Sequence, residues 1–178
     1  MPPFAPLLTG QSLLPLLTSE LTSGDYDTTY ASHQSHEISM YYPMRAVRTR
    51  QHKLILNLNY KMPFPIDMDF AASATFTDLL NRTKSHQSLH WFSSLDEYYY
   101  RAPFELYDLI NDPKKRVNLY NQTAYAPVAK QLLMTLRAWQ RRTNDPWICS
   151  PFAVPGYDGT CKPLLNSIPV PEAMKYEL

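Results

Sequence analysis

The side chains in this 178-residue sequence that could do chemistry are few and scattered. His33, His36 and Glu37 have the spacing that places metal ligands on one helical face. No third ligand accompanies them, and the Ser and Thr residues around them read as loop, so the spacing alone does not make a metal centre. Cys149 and Cys161 are the two cysteines of the chain. Two thiols cannot complete a four-ligand zinc site, and closing a short loop as a disulfide is their simplest use. Asn81-Arg82-Thr83 and Asn121-Gln122-Thr123 are acceptors for N-glycosylation if the chain enters a secretory compartment. Beside a cysteine pair they lean towards an oxidising environment.

The elements that must position these groups centre on Met44 to Leu58. Leu54, Leu56 and Leu58 alternate with period two, as a half-buried strand requires. Ile55 is apolar too, which predicts a central strand covered on both faces. The preceding Met44–Thr49 forms its hairpin partner, with Met44, Ala46 and Arg48 on one face and Arg45, Val47 and Thr49 on the other. The turn Arg50-Gln51-His52-Lys53 lacks the Gly or Asn of two-residue hairpin loops.

Further on, Met62-Pro63-Phe64-Pro65 predicts an extended loop, and residues 75–81 a short helix capped by Thr75. Residues 98–101 and 104–109 read as two more strands, ended by a turn at Asn111-Asp112-Pro113. Pro127 suits a first helical position. Ala129, Leu132, Leu133, Leu136 and Trp139 then repeat as one apolar stripe, which is core packing against the sheet. Arg137, Arg141 and Arg142 fall in the last turns, where the helix dipole favours cations, and Asp145-Pro146 stops the helix.

Composition narrows the functional classes. A net charge of +1 gives no basic field for nucleic acid or an anionic membrane. The chain has only 4 Gly against 13 Tyr and 16 Pro, and none between Gly24 and Gly156, so the body holds no Gly-rich phosphate loop. Its apolar runs are too short for a transmembrane helix. Met1 to Leu8 carries no Lys or Arg and is broken by prolines, a poor signal peptide. A secretory-looking body without an entry signal suggests a truncated chain.

Several runs together resemble the sulfamidases, the N-sulfoglucosamine sulfohydrolases of the sulfatase family. They include Leu8-Thr9-Gly10-Gln11-Ser12-Leu13-Leu14-Pro15, Ser35-His36-Glu37, Tyr42-Pro43-Met44-Arg45 and Lys61-Met62-Pro63-Phe64-Pro65-Ile66-Asp67. Phe76-Thr77-Asp78-Leu79-Leu80-Asn81-Arg82-Thr83, Tyr98-Tyr99-Tyr100-Arg101, Glu105-Leu106-Tyr107-Asp108 and Asp145-Pro146-Trp147-Ile148-Cys149 extend the similarity. It runs from about Leu7 to Cys149 and is most specific in the Lys61–Asp67 run; residues 18–32 and the tail after Cys149 depart from it.

The resemblance is to the C-terminal portion of that family. It implies an α+β fold, a small, about four-stranded antiparallel sheet packed on a C-terminal amphipathic helix, attached to an alkaline-phosphatase-like catalytic domain. Residues 1–31 would then be a remnant of that missing domain and a linker, 32–148 the C-terminal domain, and 149–178 a Pro-rich tail pinned by a Cys149–Cys161 disulfide. In the full-length family a formylglycine made from Cys in Cys-x-Pro-x-Arg and a bound calcium do the chemistry. Here Cys149-Ser150-Pro151-Phe152-Ala153 misses the essential Arg, and the family's matching cysteine is a disulfide partner.

The resemblance therefore implies no catalytic residue, cofactor or metal ligand in this chain. His36, Glu37 and Arg45 are expected at the rim of a substrate pocket, with Arg45 holding a sulfate or uronate carboxylate; an ordinary Arg45–Glu37 ion pair between domains is the competing expectation. The tyrosines at 98–100 could stack sugars, but packing within a two-sided sheet is the preferred reading. Heparan sulfate, a lysosomal location and a homodimer are what the resemblance implies for the full-length enzyme. A non-catalytic module for sulfated glycans is the alternative function.

Overall fold

The computed structural model describes residues 12–18, 27–35, 40–89, 94–156 and 160–163. A single turn of helix, α1 (Leu14–Leu17), precedes the domain. β1 (Thr29–Ser35), β2 (Tyr41–Arg48), β3 (His52–Asn57) and β4 (Phe104–Asp108) form one antiparallel sheet in the order β1-β2-β3-β4. Between β3 and β4 the chain runs through α2 (Met68–Ala71), α3 (Ala74–Lys84) and α4 (Leu95–Tyr99). α5 (Ala126–Arg142) follows, and then a two-stranded hairpin of β5 (Ala153–Pro155) and β6 (Cys161–Pro163).

The register assigns every sheet residue to a face. Val47 lies opposite Leu54 and Leu54 opposite Leu106, while Leu56 lies opposite Phe104. These side chains face α5 and build the core with Ala129, Leu132, Leu133 and Leu136. Leu54, Leu56, Leu106 and Leu136 are fully buried; each such side chain contributes roughly 1.5–3 kcal/mol by leaving water. The predicted stripe of α5 is thus its packing face. Trp139 lies at its edge and stacks on Tyr30 of β1, ring centroids 5.2 Å apart.

The opposite face carries Lys53 and Ile55 of β3 beside Tyr107 and Glu105 of β4. Part of it is covered by an aromatic layer: Tyr42 meets Phe64 edge-on, Phe64 meets Tyr98, and Tyr98 and Phe76 both contact Phe70. β3 is central, as its doubly apolar pattern predicts.

Three expectations need correction. Tyr98–Arg101 is not a strand: Tyr98 and Tyr99 end α4, whose start is fixed by a capping box in which Ser94 and Glu97 satisfy each other's backbone donors. The fourth strand is instead β1, which begins at Thr29 inside the stretch read as polar linker. It is an edge strand whose residues are mostly exposed, so its sequence carries little apolar signal. The cap of α3 is Ser73, whose side chain accepts from the Phe76 N–H, rather than Thr75.

The β4 edge is closed by a side chain. Asn118 Oδ1 accepts from the Leu106 N–H at 2.9 Å, its Nδ2 donates to the Phe104 carbonyl at 3.0 Å, and Leu119 N–H donates to the Leu106 carbonyl. An asparagine amide here stands in for a neighbouring strand.

Candidate functional site

Arg45 lies on the α5 face of β2 and is 2% exposed. Its described partner is Asp145, just beyond the end of α5; the Arg45–Glu37 pair of the competing expectation falls outside the described residues. Nε donates to Oδ2 at 2.6 Å and a second guanidinium nitrogen to Oδ1 at 2.9 Å, a two-pronged pair. The remaining nitrogen donates to the backbone carbonyls of Met44 and His33. The guanidinium is therefore enclosed by protein acceptors.

Asp145 is equally well supplied. It accepts from Gln140 Nε2 at 2.8 Å and from the Trp147 N–H at 3.1 Å. Burial pushes its carboxyl upward, but the bonds from Arg45, Gln140 and Trp147 and the Arg45 charge outweigh that and hold it below its ordinary value. Gln140 Oε1 accepts from Arg137, which also donates to the carbonyls of Ile148 and Ser150. The network ties β2, the last two turns of α5 and the segment leading to Cys149 into one unit.

His36 and Glu37 lie outside the described residues, and His33 occupies β1. Among the described residues no three His, Cys, Asp or Glu side chains gather where they could hold a metal ion. Cys149 is bonded to Cys161, with Cα atoms 5.3 Å apart. Its sulfur is therefore in a disulfide, and the Cys149-Ser150-Pro151 sequence supplies no thiol for conversion to a nucleophile. Among the described residues the donors gathered in one place do not fit a calcium, and neither cysteine is free to become a formylglycine. Asn81 is exposed on α3 and Asn121 is exposed in a turn. The tyrosine run serves the aromatic layer through Tyr98, with Tyr100 exposed.

Asp145, Gln140 and Arg137 were missed as a polar cluster. Asp145 reads as a helix stop and Arg137 as a dipole-favoured surface cation, yet Arg137 is 5% exposed. A signal was available: Arg137 follows Leu133 by four positions and Gln140 follows Leu136 by four, which places both on the buried stripe.

No protein-family profile matches the chain. It is 45% identical to human N-sulphoglucosamine sulphohydrolase over 163 residues, which is 90% of this chain and 32% of that protein. The chain thus spans about a third of the length of this curated relative. Among solved structures, a 2-O GAG sulfatase matches at TM-score 0.50 and 18% identity over 86% of this chain and 26% of its own, a likeness of fold. A protein solved with its substrate D-glucosamine-2-N,6-O-disulfate gives TM-score 0.47 and 21% identity over 78% of this chain and 21% of its own. The sheet-on-helix fold and the 45% identity agree with the resemblance read from the sequence: the chain belongs with the sulfamidases of the sulfatase family and corresponds to their C-terminal portion.

Proposed function

We propose that this chain works as the C-terminal subdomain of a lysosomal sulfamidase, an enzyme that hydrolyses the N-linked sulfate of glucosamine in heparan sulfate. The 45% identity along nine-tenths of the chain carries this reading. Catalytic power in such an enzyme resides in a separate catalytic domain; hydrolysis needs a nucleophile, charge stabilisation at the sulfate oxygens and an acid for the leaving amine. This subdomain contributes a rigid platform. The Arg45–Asp145 pair fixes β2 against α5, and His36 and Glu37, which precede β2 in the sequence, remain the candidates of this reading for the pocket rim. Arg45 is then a positioning residue for β2. Asn81 and Asn121, both exposed, are the glycosylation sites of this reading.

A chimera tests it directly. Human N-sulphoglucosamine sulphohydrolase whose matching portion is replaced by this chain should fold and release sulfate from N-sulfoglucosamine. The 178-residue chain alone should release none, with or without calcium. A folded chimera without turnover would overturn the proposal. So would turnover by the chain alone that Cys149→Ser abolishes.

A further inference from the structure

Consecutive basic residues occur at Lys114-Lys115-Arg116 and at Arg141-Arg142. The fold treats the two runs differently. Arg141 and Arg142 end α5, and the backbone around them is tied down: Thr143 N–H donates to the Trp139 carbonyl and Asn144 N–H to the Arg141 carbonyl. Lys114, Lys115 and Arg116 lie in the stretch from Leu109 to Gln122, which has neither helix nor strand and leads from β4 towards α5. All three cations are exposed, and so is Val117, which follows them.

This loop is held by few bonds in its middle and anchored at both ends. In the middle, the Asp112 carboxylate accepts from the N–H groups of Arg116 at 2.6 Å and Val117 at 2.9 Å, and the Asp112 carbonyl accepts from the Lys115 N–H at 3.0 Å. Lys115 has φ 54°, a left-handed conformation that is unfavourable for a residue with a Cβ. It lies near Lys53, on the sheet face turned away from α5, and adds to the burial that holds Lys53 below its ordinary value. Upstream, the Asp108 carboxylate closes the turn by accepting from the N–H groups of Ile110 and Asn111. Downstream, Asn118 and Leu119 are bonded to the β4 backbone. A short exposed segment of this kind opens locally while its anchored flanks stay folded.

We propose that the Arg116–Val117 peptide bond is a processing site for an endoproteinase specific for paired basic residues. Acidic subsites of such an enzyme match the run Lys114-Lys115-Arg116, and the adjoining loop tip is where backbone yields to a protease. Entry into the protease groove extends the loop, so Lys115 leaves its left-handed conformation and Asp112 releases its two bonds. Water then adds across the peptide bond, its oxygen to the Arg116 carbonyl carbon and a proton to the Val117 nitrogen. The products are an Arg116 carboxylate and a Val117 ammonium. When the loop settles back, that ammonium meets the Asp112 carboxylate which its N–H already met, and the bond that closed the loop becomes an ion pair. The two pieces, 1–116 and 117–178, stay joined through the core, because Phe104 and Leu106 of the first pack with Leu132, Leu133 and Leu136 of the second. This site goes beyond the subdomain role above and does not rest on it.

The test exposes the purified 178-residue chain to an endoproteinase specific for paired basic residues, with the products read by mass and N-terminal sequencing. The first cut should fall after Arg116, at least about tenfold faster than any cut after Arg142. The two pieces should elute together on size exclusion and separate in denaturant. Lys115→Gln with Arg116→Gln, at exposed positions, should leave no cut in the loop. Asp112→Ala, which frees the loop, should speed the cut about fivefold. A chain that stays intact under conditions that cut a free peptide of residues 110–121 would overturn the site. So would a first cut after Arg142, or an Asp112→Ala chain cut no faster than the native one. Pieces that part without denaturant would overturn the joined product.

Discussion

The two faces of the same sheet treat an arginine in opposite ways. On the α5 face, Arg45 meets a carboxylate with two nitrogens and two backbone carbonyls with the third. On the other, Arg101 is stacked on Phe64 and leaves a buried N–H unanswered. A closed network of the first kind has no capacity for a ligand; its work is to hold elements in place. The second face leaves Tyr42 Oη, Asn57 Oδ1 and Arg101 Nε without a hydrogen-bond partner among the described residues. Burial of a charge alone therefore does not mark a site, since Arg45 is buried and its bonds are all taken by the protein.

The largest effect expected from breaking this contrast is at Asp145. With side chains 2% and 4% exposed, the pair has little solvent to fall back on. Asp145→Ala should destabilise the chain by about 3–5 kcal/mol in urea unfolding, because it strands a buried cation. Leucine at both positions should recover much of that loss. Next comes the disulfide: Cys161→Ser should cost about 2 kcal/mol, seen as faster amide exchange in β5 and β6 with the main sheet still protected.

Acid gives a smaller, graded effect of definite sign. The folded-state value of Asp145 lies below its ordinary 3.8, so the folded chain binds its proton less readily than the unfolded chain does. Its stabilisation is complete above that value and is lost as pH falls through the folded value. Denaturation midpoints measured from pH 5 downward should fall more steeply in the native chain than in the double-leucine variant.

The smallest effect belongs to the other face. Lys115→Gly, which suits the left-handed backbone, should leave stability unchanged or raise it by up to about 1 kcal/mol in thermal unfolding. A marked loss there would mean that Lys115 is structural, and the contrast between the faces would fail.

The elements legible in the sequence were those whose apolar residues repeat on one face. α5 and β3 announce themselves by Leu132, Leu133 and Leu136 and by Leu54 and Leu56, because burial against a single partner imposes a period. β1 was illegible because an edge strand needs few apolar side chains, and only Tyr30 reaches the core cluster among its residues. Tyr98–Tyr100 misled because aromatic residues favour strands, while the Ser94 and Glu97 cap signal three residues apart was in view and outranked them. Of the candidate site, the sequence marked Arg45 as a fork donor but could not supply its partner, since pairing across a sheet and a helix end is a property of the assembled fold.

The separation of Arg45 from Asp145 also sets an order of events. The two residues are 100 positions apart. During synthesis β2 and β3 can pair as soon as they emerge, since a hairpin needs only local closure. Until Asp145 is made, Arg45 lacks the carboxylate it pairs with in the fold, and sealing a lone charge under apolar cover would be unfavourable. That side of the sheet has its apolar cover only once α5 is present. The element that covers that face and the carboxylate that answers Arg45 are thus neighbours in the sequence, so apolar cover and counter-charge arrive together.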